Sequence, residues 1–157
     1  MGVLRTRNWR GPGLLPAVAV IVAGIAVGLG AFTFVYARGY SYLGHDAKTC
    51  DNCHVMNEQY AGWMKGPHRS AAQCADCHMP SNVAGKYAVK AWDGFWHSYY
   101  FTANTYPDHI QITKLGRRVV EGQCRACHRA IVENITAHGG REGEVSCIRC
   151  HFDAGHA

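Results

Sequence analysis

A mainly α-helical chain is predicted, with one amino-terminal membrane helix ahead of a compact exported domain that contains little sheet. Three features of the 157 residues carry that prediction. Residues Leu14 to Ala37 hold no charged side chain. Eight cysteines fall as four pairs, each with two residues between and a histidine directly after. No stretch sustains the apolar/polar alternation of a half-buried strand.

The first element is the anchor. Twenty-four residues at helical rise span about 36 Å, enough for a hydrocarbon core of about 30 Å with some tilt. A cleaved signal peptide would carry a shorter apolar region, of about 7 to 15 residues. Arg5, Arg7 and Arg10 precede the span and only Arg38 follows it at once. The positive-inside rule therefore assigns residues 1–13 to the cytoplasm, 14–37 to the membrane and 38–157 to the far side, the periplasm. Within the span, Gly24 and Gly28 form a small-xxx-small face that could let a second helix approach, a route to self-association.

Beyond the anchor, residues 39–44 (GYSYLG) read as a short interfacial linker. The aromatic stretch 86–106 is expected to be partly helical and to stop before Pro107. Residues 114–138 are expected to be helical on either side of Gly122. The formal charge of +5 contains no basic run longer than Arg117-Arg118, which argues against nucleic acid as a partner. The exported part has about 120 residues and modest apolar content, so something besides side chains has to fill its core.

The motifs say what. Cys50/Cys53, Cys74/Cys77, Cys124/Cys127 and Cys147/Cys150 are followed by His54, His78, His128 and His151. C-x-x-C-H is the attachment signal for c-type haem, both thiols bonding the porphyrin and the histidine ligating iron. Zinc ribbons would suit the 20 and 19 residues between successive pairs, but they leave four histidines unexplained. With 10 histidines in 157 residues, chance would fill those four positions roughly once in 60,000 sequences. Disulfides across two residues would be strained and ignore the histidines again. The expectation is four covalently bound haem c groups, close together and suited to electron hopping. At the first motif both His54 and Met56 are available to the iron. Six histidines lie outside the motifs: His45, His68, His97, His109, His138 and His156.

One anchor, four such motifs in about 120 exported residues and a first motif reading CDNCHVM resemble the tetrahaem NapC/NirT family of quinol dehydrogenases. Within it, the compact carboxyl end and CHxM most resemble the branch that forms the small membrane subunit of cytochrome c nitrite reductase. The resemblance implies that Met56 ligates the first iron and displaces His54. It implies His68 as distal ligand to the fourth haem and His138 to the second, alongside His78, His128 and His151 from the motifs. The third haem would take a lysine from the catalytic partner. His97, His109 and His156 remain further candidates.

The same resemblance places menaquinol or ubiquinol at Lys86 and Asp93, Asp93 taking a proton and Lys86 orienting the quinone oxygen. The residues give a separate reason to look there. Lys86, Lys90, Asp93 and His97 share one helix face, bordered by Trp92, Phe95, Trp96, Tyr99 and Tyr100. Electrons would pass to a periplasmic pentahaem nitrite reductase subunit. No CxxCK motif occurs, so no nitrite-reducing site is expected in this chain. The alternatives are a donor to nitrate or another periplasmic reductase, or an electron-storage cytochrome without enzymatic activity.

Overall fold

Helix α1 (Leu14–Tyr36) runs for 23 residues, long and apolar enough to cross a membrane, and buries nothing within the chain. A computed structural model describes residues 13–138 and 146–156. Arg5, Arg7 and Arg10, and with them the expected cytoplasmic segment up to residue 12, lie outside the described residues. Added side chains at Gly24 and Gly28 would meet open space. The helix closes with the Ala37 N–H donating to the Thr33 carbonyl at 2.8 Å. Arg38 then takes a positive φ of 54°, and a Cβ on Gly39 would collide with the Phe34 ring, so this turn needs its glycine. The chain divides after Tyr40 into two compact units.

The second unit is helical throughout, with no strand among the described residues. Short 3-10 turns at Gly39–Leu43, Ala47–Asn52, His54–Met56 and Pro67–Ser70 alternate with helices α2 (Asn57–Lys65), α3 (Cys74–His78), α4 (Val83–Ala103), α5 (Lys114–Cys127), α6 (Arg129–Ala137) and α7 (Cys147–Cys150). The aromatic stretch forms α4. Asn82 caps its start by accepting the Gly85 N–H, and Asn104 ends it in the left-handed conformation, φ 51° and ψ 45°.

The helical region after residue 114 breaks elsewhere than expected. Thr113 caps α5 through the Gly116 N–H at 3.0 Å, and the helix then runs straight through Gly122. The break falls at His128, where α6 begins anew. A glycine inside a helix costs only about 1 kcal/mol. The turn that carries a Cys-x-x-Cys-His motif is the stronger local demand.

Packing explains why the motifs matter to the fold. Among the described residues the only buried apolar side chains are Ala47 (2% exposed) and Trp63 (9%), with Gly62 buried beside the latter. The Trp63 indole donates to the Ala72 carbonyl at 3.0 Å and its ring lies against Tyr60, 5.6 Å between centres. A buried large side chain contributes about 1.5–3 kcal/mol, whereas fixing each residue's backbone costs about 1–2 kcal/mol. One large buried side chain cannot order the unit. The helix contacts centre on the motif-bearing α5: α3 and α7, which carry motifs, pack on it, and α6 follows from it.

Candidate functional site

Three of the four motifs share one backbone design. The second is α3 itself, the third ends α5 with His128 at its cap, and the fourth is α7 with His151 at its cap. The His128 and His151 N–H groups each donate to the carbonyl of their motif's first cysteine at 2.9 Å. Cysteines three apart on a helix lie on one face, so each pair presents its thiols side by side with the histidine leaving at the turn's end.

Local capping holds these turns. At α3 the Gln73 N–H donates to Asp76 Oδ2 at 2.8 Å, and Gln73 Oε1 accepts from Ala47 N–H at 3.0 Å, tying the second motif to the first. At α7 the Glu121 carboxylate accepts the Cys147 N–H at 3.0 Å and the Ser146 hydroxyl. Burial pushes the Glu121 carboxyl up, but these hydrogen bonds outweigh it and hold the group below its ordinary value.

The first motif is built differently. Asp46 caps the turn holding Cys50, accepting the Lys48 N–H at 2.9 Å. Cys53 then goes extended, φ −102° and ψ 115°, and His54–Met56 forms a separate turn. His54 therefore does not continue the turn of its own cysteines. It is exposed, edge-on to Phe101 at 6.4 Å, while Met56 is half-buried.

The motifs adjoin in chain order. The Cys74 thiol neighbours that of Cys50 and lowers the Cys50 pKa to about 7. The Cys77 thiol is pushed up by burial first and then by Asp76 and Cys127, and that of Cys124 by burial and then by Cys147 and Cys77. No cysteine is in a disulfide, and among the described residues no cluster of histidine, cysteine and carboxylate side chains converges as zinc would require. Paired thiols on one turn, an adjacent histidine and a chain with almost no interior of its own fit covalent haem.

Three of the six other histidines carry the mark of an iron ligand. His68 Nδ1 donates to the Ala154 carbonyl at 2.9 Å, His138 Nδ1 to Asn134 at 2.7 Å and His156 Nδ1 to Gln59 at 2.8 Å. Ligating histidines commonly anchor the non-coordinating nitrogen in this way, leaving Nε2 for the metal. Two imidazoles on one iron, with metal–nitrogen bonds near about 2 Å, have ring centres about 6 Å apart. His156 and His78 stand at 6.0 Å, His68 and His128 at 6.1 Å.

Burial, then His156, lowers the His78 pKa and favours the neutral form that binds metal. The structure thus brings His156 to His78. Among the described residues His138, at the end of α6, bonds its own helix. The ring of His68 faces His128, although its Nδ1 is held three residues beyond His151. The last histidine has no local sequence signal: its anchor, Gln59, is 97 residues away.

On α4 the polar stripe meets the segment leading into the first motif. Lys86 Nζ lies 3.1 Å from His45 Nδ1, and Lys90 Nζ donates to the Leu43 carbonyl at 3.2 Å and to that of Gly44. Burial pushes the Asp93 carboxyl above its usual range, with His97 pulling it back. Trp92, Phe95, Tyr99 and Tyr100 are exposed around Trp96, whose ring stacks on Tyr100 at 5.5 Å. The Trp96 indole N–H is enclosed with no hydrogen-bond partner among the described residues.

Comparison with known proteins gives consistent results. The family described as the NapC/NirT cytochrome c family, N-terminal region, matches residues 14–157. The cytochrome c-type protein NrfH of Wolinella succinogenes is 35% identical over 148 residues, 88% of this chain and 84% of that protein. The cytochrome c nitrite reductase subunit NrfH of Nitratidesulfovibrio vulgaris is 28% identical, covering 87% and 82% respectively. Among solved structures, a crystal structure of the cytochrome c nitrite reductase NrfHA complex bound to the HQNO inhibitor superposes with a TM-score of 0.61 at 25% identity. It covers 85% of this chain and 88% of that one.

Proposed function

The chain belongs to the NapC/NirT cytochrome c family and carries covalent haem c, and from that premise we propose that it is the quinol-oxidising membrane subunit of a nitrite reductase complex. In this reading four haem c groups occupy the four motifs. The amino terminus lies in the cytoplasm, α1 spans the inner membrane of a bacterium, and the haem domain, residues 38–157, is periplasmic. Menaquinol or ubiquinol is oxidised at α4, and the electrons leave to a catalytic pentahaem subunit.

The observation that carries the proposal is the attachment of the α4 stripe to residues 43–45, immediately ahead of the first motif. Haem c supplies one-electron carriers there, while the residues of this chain bind the headgroup and take its protons. Lys86 offers ammonium donors to a quinone oxygen. Asp93, shifted toward ordinary working pH by burial, accepts a proton. The aromatic face around Trp96 provides an apolar wall. Met56 would serve the first iron in place of His54, a reading supported by the half-buried position of Met56 and the exposure of His54.

For the second motif we assign His156 opposite His78. His156→Ala should turn one low-spin iron high-spin in electron paramagnetic resonance, and His138→Ala should leave that signal unchanged. The reverse result would restore His138 as the second haem's ligand.

A second reading, a donor to nitrate or another periplasmic reductase, is favoured by the approach of His68 to His128. That pairing would complete the third haem without a partner lysine. In the first reading the exposed His128 faces the catalytic subunit, and His68 serves His151.

The test is reduction of the purified full-length chain in proteoliposomes by menadiol, followed by electron delivery to a pentahaem nitrite reductase. Menadiol should reduce the haems, and nitrite should reoxidise them only when that partner is added. Haems that menadiol cannot reduce would leave an electron store.

A further inference from the structure

We propose that His45 is a positioning residue of the quinol site, holding the Lys86 ammonium in place and itself held by Asp76. The inference rests on the quinol reading above. His45 uses both ring nitrogens: Nε2 lies 3.0 Å from Asp76 Oδ1, and Nδ1 lies 3.1 Å from Lys86 Nζ. A carboxylate only accepts hydrogen bonds, so Nε2 carries the proton, Nδ1 keeps its lone pair and Lys86 donates to it. This separates His45 from His68, His138 and His156, each of which binds a carbonyl through Nδ1 and leaves Nε2 for a metal.

The chain of contacts continues inward. Asp76 Oδ2 accepts the Gln73 N–H at 2.8 Å, and Gln73 accepts from Ala47, which is only 2% exposed. A fixed point of the fold thus reaches the tip of a flexible lysine. An unrestrained lysine would lose rotamer freedom on meeting a ligand; this one has lost it beforehand. One of its three N–H groups is spent on His45, and two remain for a quinone oxygen.

The test uses the haem-loaded full-length chain in proteoliposomes. His45→Leu should raise the KM for menadiol about tenfold with kcat nearly unchanged, and weaken calorimetric binding of HQNO by a similar factor. His45→Gln, whose amide can both donate to Asp76 and accept from Lys86, should restore most of both. Haem content and the low-spin spectrum should match the parent in each variant. If His45→Leu does not assemble, His45→Asn, too short to reach both partners, should show the same KM shift.

An unchanged KM and HQNO affinity in the His45 variants, alongside a clear loss in Lys86→Leu, would overturn the positioning role. No change in Lys86→Leu either would show that the quinol site itself lies elsewhere.

Discussion

Replacing Cys124 and Cys127 together by serine is expected to yield a chain one haem short of the parent, with a motif-bearing domain that limited proteolysis destroys. The third motif ends α5, the helix against which α3, α6 and α7 pack, and Glu121 of α5 caps the fourth motif. Truncating one buried aromatic side chain costs about 3–5 kcal/mol, and a porphyrin presents several times that apolar area. Domains of this size are stable by only about 5–15 kcal/mol, so the loss exceeds what the unit can absorb. Intact-mass measurement counts the haems, and the digestion pattern reports the fold. A variant one haem short yet as resistant as the parent would mean that the third haem is not needed to hold the domain.

The second large effect is kinetic. Lys86→Leu and Asp93→Asn should each lower quinol-driven haem reduction by at least about 100-fold, the lower end of what a positioned acid or base contributes. Reduction by dithionite, which needs no quinol site, should be unaffected.

The pH dependence follows from the direction of the Asp93 shift. Its carboxyl is raised above the ordinary range, so the ionised form that accepts a proton becomes available only at correspondingly higher pH. The parent's rate should rise with pH through that shifted value, and Asp93→Asn should lack this limb. A limb that survives in Asp93→Asn would assign the proton to another group, with His97 on the same face as first candidate.

Much of this architecture is legible in the order of the amino acids. The uncharged run marks α1 to within a residue at its carboxyl end, and the aromatic stretch marks α4, although the start of that helix at Val83 is set by the Asn82 cap ahead of it. Gly122 misleads because its local cost is small beside the demand of the motif turn that ends at His128. The polar stripe is visible as a periodicity, since residues three and four apart on a helix meet whatever surrounds them. Its attachment to His45, Leu43 and Gly44 is not, because those partners lie 41 to 47 residues away.

Sequence alone determined the helical class, the apolar anchor and the haem chemistry. Each of these depends on spacings of a few residues, and such spacings survive whatever the rest of the chain does. Tertiary structure alone decided which side chains each imidazole meets: His156 meets His78, His68 meets His128, and His45 meets Lys86 and Asp76. An iron ligand or a tethered lysine requires two side chains within a few ångströms of each other, and only the folded path of the chain sets that distance.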